Sequence, residues 1–350
     1  MSADYAALLR RRAALVALLA LATIACLLAD LGTGPSGLSP SELLRWAAKS
    51  LGPADPGAAL DPRQIIVWDI RLPQGLLAVA VGLALGLAGA EMQTVLDNPL
   101  ASPFTLGLSE AAAFGAALAI VLDVGIPGVP AEAMVTANAF VFALAAALLL
   151  DGVTRWLALP ASSLVLFGIA LVFSFNALLW LLQYVASAEA LQALVFWVMG
   201  SLQRATWTKV GLLLGLAALL LPWALRDAWA LTALRLGEER AASFGVDVRR
   251  LRLRALLRVA LLAATAVSFA GTIGFIGLVA PHVARRLCGE DHRFYLPAAA
   301  LVGAFVLSGA AIASKLVVPG AVIPVGIVTA LIGIPFFLAI VLRTRAAFAS

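Results

Sequence analysis

Apolar residues run without alternation through ten stretches of the chain, at about residues 13–32, 74–96, 105–124, 132–150, 161–185, 209–226, 255–272, 274–289, 296–314 and 323–343. Most approach the roughly 20 residues an apolar helix needs to cross a bilayer. Runs such as ALVALLALATIACLLA lack the two-residue period of a transmembrane strand, so helices are predicted and a barrel is excluded. The pattern predicts an all-α polytopic membrane protein of about ten transmembrane helices, with residues 1–350 forming one membrane domain.

Three polar interruptions carry structure of their own. LSPSELLRWAAKSLG places Ser39 and Glu42 at capping-box spacing with Pro40 at the first helical position, which predicts a short helix outside the membrane. SAEALQALVFWVMGSL is a second short helix, too close to the fifth span to cross again. The longest charged stretch, from Ala233 to Arg258, reads as two short helices broken near Gly245 at the cytoplasmic surface; a solvated basic loop that only fixes topology is the alternative.

Composition narrows the class. At 63% hydrophobic and 12% charged residues the chain is far more apolar than a soluble domain, where apolar usage is roughly 45–50%. With the N-terminus inside, ten spans return the C-terminus to the cytoplasm, and about 17 of the 24 Lys and Arg residues then fall on the cytoplasmic side, as the positive-inside rule requires. Topology therefore accounts for the basic balance, and no Lys/Arg block interleaved with aromatics points to nucleic acid. Cys26 and Cys288 have neither disulfide-framework nor zinc-ligand spacing. Lys49, Lys209 and Lys315 all lack the glycines of a phosphate loop, so any ATP that drives this chain is bound by another. Nucleophile elbows and zinc-protease helices are missing too, which leaves no catalytic set for an enzyme.

Polar residues inside spans are the candidate functional positions: Glu91, Gln93, Glu110 and Asn176. A carboxylate at mid-bilayer costs at least about 2.5 kcal/mol, so it should face protein or water. Glu91 reads as pathway-facing; Glu110, near the start of its helix, equally suits an acid that reaches the interface. Gly82, Gly86 and Gly89 form one small-residue packing face, and Gly211 with Gly215 another. In GTIGFIGLVAPHVARR, glycine at 271, 274 and 277 predicts irregular backbone buried in protein or lining a cavity.

The blocks RLPQGLLAVAVGLALGLAGAEMQTVLDNPLASPFTLGLS, LGEERAASFGVD, GTIGFIGLVAPHVARRLCGEDHR and PVGIVTALIGIPFFLAIVLR occur in that order and span nearly the whole chain. Together they resemble the FecCD/BtuC-type permeases of type II ATP-binding-cassette importers. The resemblance implies a permease subunit of the bacterial or archaeal cytoplasmic membrane, paired with a second copy. It also implies two cytoplasmic subunits that bind ATP and Mg, with no cofactor on this chain, and a substrate-binding protein outside. Iron(III)-siderophore is the first substrate it suggests, then haem or cobalamin, with molybdate or tungstate below. Carried onto this sequence, coupling helices fall at about 233–256, where Gly237, Glu238, Glu239, Ala241, Gly245 and Val246 would meet the ATPase. Asn98, Pro99 and Leu100 would form the cytoplasmic mouth, and Arg71, Gln74 and Lys315 would face the binding protein. Gln74 stands where many members have Arg, and Ala311 and Val322 where Asp and Glu are frequent, so a weakened or redistributed electrostatic docking is expected. An ion-coupled carrier using Glu91 or Glu110 as its proton site is the competing reading.

Overall fold

The computed structural model describes residues 3–33, 65–157 and 161–348, all of whose regular structure is helical. The predicted outer helix around Ser39 lies outside the described residues. In chain order the helices are α1 (Ala3–Gly32), α2 (Leu72–Val95, entered through a π-helical turn at Ile66–Arg71), α3 (Leu108–Leu122), α4 (Ala131–Leu157), α5 (Ala161–Val185), α6 (Ala188–Val198) and α7 (Trp207–Arg226). There follow α8 (Ala228–Leu234), α9 (Glu238–Ser243), α10 (Val248–Ala270), α11 (Ile276–Cys288), α12 (His292–Leu316) and α13 (Val325–Phe348). Every predicted span carries a helix. Among the described residues seven of them are long and apolar enough to cross a membrane by length and composition, while α3 and α11, at 15 and 13 residues, and the stretch Val325–Ala339 of α13 are shorter.

The core is built around α2. Its apolar stretch is 83% buried, against 22% for α5 and for α7. The cause is the glycine face: a Cβ on Gly82 or Gly86 would overlap backbone of α12 at Gly303 or Ala299, and one on Gly89 would overlap the Gly277 carbonyl of α11. Small residues let backbones approach where no hydrophobic force separates helix from lipid. The second predicted face fails this test, because nothing lies within 4 Å of a Cβ added to Gly211 or Gly215. Exposed Leu212 and Leu219 share that outward side of α7.

Between α10 and α11 the backbone is irregular, as the glycine spacing predicts. Phe275, the N-cap of α11, sits in the left-handed region at φ 67°, and its ring stacks on Phe104 at 6.4 Å between centroids. The break is tied down by Ser201 N–H donating to the Ala270 carbonyl at 2.7 Å and by the Thr272 hydroxyl donating to the carbonyl of Val198.

The charged stretch from Ala233 to Arg258 differs from its expected form. Both short helices, α8 and α9, precede Gly245; the Arg-rich segment after it is the beginning of the 23-residue α10. Asp247 caps that helix, accepting from Arg250 N–H at 3.0 Å, and no breaker separates the arginines from the apolar run behind them. The two short helices are separated at Gly237, whose φ of 103° makes the break.

Candidate functional site

Two features meet at the end of the bundle that the positive-inside rule assigns to the cytoplasm: the turn after α2 and the segment α8–α9. In the turn, Asn98 Oδ1 accepts from Leu100 N–H at 2.9 Å, and Ser102 and Thr105 exchange hydrogen bonds, leaving Pro99 and Leu100 exposed at the tip. In the segment, Gly237, Glu238, Glu239 and Gly245 are exposed. Ala241 and Val246 are not: both are buried in the main hydrophobic core, so their side chains hold α9 down and cannot touch a partner. The apolar groups that do protrude are Trp229, Leu236 and Phe244, 63%, 54% and 57% exposed, which line one open groove.

Behind this surface lies a series of polar contacts, buried around Glu91, Arg258 and His292 and exposed at Asp97, Glu290 and Glu238. Arg258, in α10, is fully buried, with Nε 2.8 Å from Glu91 Oε1 and Nη2 completing the fork; its Nη1 donates to Asp227 Oδ2 at 2.8 Å. Arg254 meets the other Asp227 oxygen at 3.0 Å, so two guanidinium and two carboxylate groups balance. One turn along α2, the Thr94 hydroxyl lies 2.8 Å from Nε2 of buried His292, whose Nδ1 is 3.1 Å from the Thr232 hydroxyl on α8. Past the end of α2, Asp97 accepts from Arg235 Nη1 at 2.6 Å, and Arg235 also forks onto Glu290 in the turn before α12. Arg252 joins Glu238, at 2.6 Å, to the Val95 carbonyl, at 3.2 Å.

This corrects the pathway reading of Glu91: the acid faces a cation inside the protein, not a hydrated path. Gln93 is buried as well, its Nε2 3.4 Å from the Leu278 carbonyl. Glu110 is half-buried in the first turn of α3, and Asn176 half-buried on α5. Arg258, the last residue of the stretch expected at the cytoplasmic surface, is instead buried; it is the fourth residue of the apolar run that begins at 255, which is the sign of a buried role in the sequence.

At the opposite end, the outer one by the same rule, the expected docking cations also turn inward. Arg71 is buried and donates to the Leu31 carbonyl at 2.7 Å, while Lys315 meets Asp30 Oδ1 at 2.8 Å. Gln74 is half-buried beside them, lining with Asp30 and Lys315 a space of about 20 Å³. These charges pin the end of α1 to α2 and α12, and do not form an outward basic patch. Cation placement there gives way to packing because the end of α1 brings an acid, Asp30, that is 1% exposed and needs a counter-charge.

Residues 21–343 match the model of the FecCD transport family. The chain belongs to that family. It is 41% identical to the hemin transport system permease protein HmuU of Yersinia pestis, over 80% of this chain and 84% of that protein. It is 36% identical to the vitamin B12 import system permease protein BtuC of Klebsiella pneumoniae, over 83% of this chain and 86% of that one. A solved structure described as an inward-facing conformation of a metal-chelate type ABC transporter superposes with a TM-score of 0.78 at 30% identity, covering 94% of this chain and 98% of its own. The FecCD chain is thus a multi-pass membrane protein with the fold of an ABC permease.

Proposed function

We propose that this FecCD chain is the permease subunit of an ATP-driven, binding-protein-dependent importer of a metal chelate, with iron(III)-siderophore placed first and haem or cobalamin next. The observation that carries it is the α8–α9 segment: an exposed apolar groove of Trp229, Leu236 and Phe244 on a segment tied by polar contacts to the end of α2 and to Asp97, the residue before the turn at 98–100. Such a surface suits a partner that binds and moves it. Two cytoplasmic ATP-binding subunits, carrying ATP and Mg, would dock there; a second permease copy would complete the path, and a binding protein would deliver substrate from outside. Both termini would then be cytoplasmic in a bacterial or archaeal inner membrane.

On this reading the chain performs no chemistry. It holds Pro99 and Leu100 at the mouth, lets α8 and α9 follow the closing ATPase, and changes which side of the membrane the path opens to. The ion-coupled alternative is weakened because Glu91 is forked by Arg258, and a carboxylate so engaged does not shuttle protons freely.

Reconstitution of the permease with its ATPase and binding protein in proteoliposomes tests the proposal, with ferric siderophore, hemin and cobalamin offered in turn. Uptake of one of them that needs both ATP and the binding protein is the expected result. Uptake driven by a proton gradient without the ATPase would overturn it.

A further inference from the structure

The polar contacts at the inner end, buried at Glu91 and Thr94 and exposed at Asp97, share a geometry that their individual roles do not explain. Glu91 and Thr94 lie three residues apart in the last turns of α2, a spacing that makes them neighbours on the helix, and Asp97 follows two residues past its end at Val95. Each is linked to the same short element: Glu91 through Arg258 to Asp227, where α7 turns into α8; Thr94 through His292 to Thr232, within α8; and Asp97 directly to Arg235, the C-cap of α8. A seven-residue helix is only about 10 Å long. Contacts at its start, middle and end fix its position and direction against α2, where one contact would leave a pivot.

The other end of the linkage is also defined. Upstream, α2 is locked by Gly82, Gly86 and Gly89 against the backbones of α12 and α11, where a side chain would not fit. Downstream, Asp97 leaves the helix at φ 43° and is followed at once by Asn98, Pro99 and Leu100. A displacement of α8 delivered through these contacts therefore has one compliant place to go, the mouth turn. We infer that this polar seam transmits movement of the ATPase-facing segment to the cytoplasmic mouth, with Arg258, His292 and Arg235 as its positioning residues. The inference rests on the coupling role proposed above for α8 and α9.

A purely structural role makes a different forecast. Buried ion clusters replaced by apolar groups of similar volume frequently keep or raise stability. Glu91→Leu/Arg258→Met/Asp227→Asn should then be harmless if the cluster only fills the core. If the seam transmits, that variant assembles yet fails to respond. The measurement uses the full permease–ATPase complex in nanodiscs, carrying an environment-sensitive fluorophore on Leu100→Cys in a Cys26→Ala/Cys288→Ala background, since Leu100 is exposed at the tip. Emission is compared without nucleotide and with ATP, Mg and vanadate. The parent should shift on trapping, and the triple variant should lose at least half of that shift at an unchanged melting temperature. A second variant, Thr232→Val/Arg235→Gln, touches partly exposed positions and keeps the buried ion cluster; it should also lose at least half the shift, and it decides alone if the first does not assemble. A full parental shift in the assembled variants overturns the seam while leaving the coupling role intact. A parent whose emission ignores nucleotide, or that binds no ATPase, removes the coupling role and the seam with it.

Discussion

The two ends of the molecule use buried charge in opposite ways. At the outer end Lys315 and Arg71 close on Asp30 and the Leu31 carbonyl, and one Asp30 oxygen, Oδ2, is left without a hydrogen-bond partner among the described residues. At the inner end Arg258 joins two carboxylates, Arg254 completes the charge balance, and two further contacts, Thr94–His292–Thr232 and Asp97–Arg235, tie the end of α2 to α8. One cluster fastens three helices where they stand. The other connects the segment α8–α9 to the end of α2 and the turn proposed above as the mouth. Comparable investments of charge thus serve holding in one place and linking in the other, and the difference lies in what the cluster touches.

The largest effect should come from leaving the inner cluster half-made. Arg258→Met strips Glu91 and Asp227 of their shared partner, and an uncompensated buried charge of this kind costs about 3–5 kcal/mol. Loss of monodisperse protein in detergent, or a melting temperature many degrees lower, is the expected outcome. A variant as stable as the parent would show that the two acids find other partners, which would dissolve the contrast between the ends.

Next in size is the apolar groove. Trp229→Ala/Phe244→Ala leaves the permease core untouched but removes the two largest protruding rings of α8 and α9. Buried aromatic anchors at interfaces are worth about 2 kcal/mol or more, so ATPase affinity should fall roughly 30-fold, measured by titration of the labelled ATPase onto permease nanodiscs. The melting temperature of the isolated permease should not move. If affinity is unchanged, the ATPase docks elsewhere and the inner cluster loses its input.

Much of this architecture is legible in the sequence. Spans follow from apolar length, and the packing of α2 follows from glycines at 82, 86 and 89, because both are local properties. The partnership of Glu91 is not local: Arg258 stands 167 residues away and reads as one more cytoplasmic arginine. For the same reason Ala241 and Val246 could be marked as coupling positions while their burial stayed hidden, since a single-turn helix has too few residues to display a face. The orientation of Gly211 and Gly215 was equally out of reach, as a small-residue pair says that helices can approach and not that one does.

A smaller effect is expected where α12 begins. Asp291 caps the helix by accepting from Arg293 N–H at 3.1 Å, and the Arg293 guanidinium holds its carboxyl below the ordinary range, with Arg12 adding to the pull. Its contribution is therefore present above the unfolded carboxylate range of about 3.9 and fades as the pH falls through the lowered folded value. Asp291→Ala should cost about 1 kcal/mol at neutral pH, read as a modest drop in melting temperature that disappears under strongly acidic conditions. A difference that persists there would mean the side chain acts through packing.

The smallest effect is the most informative about the outer end. If Arg71 and Lys315 met the binding protein, removing either charge would weaken docking and flatten its salt dependence, because exposed charge pairs are screened as ionic strength rises. Both groups are instead turned inward, Arg71 at 5% exposure and Lys315 through Asp30 at 2.8 Å. Arg71→Gln and Lys315→Met should each change binding-protein affinity by less than about twofold, with the salt dependence unaltered, while Lys315→Met lowers stability because Asp30 loses its counter-charge. Surface plasmon resonance of the binding protein over permease nanodiscs, at low and high salt, separates the two cases. A tenfold loss of affinity with unchanged stability would mean that these cations swing outward on docking, and the outer cluster would then be a second moving part and not a clamp.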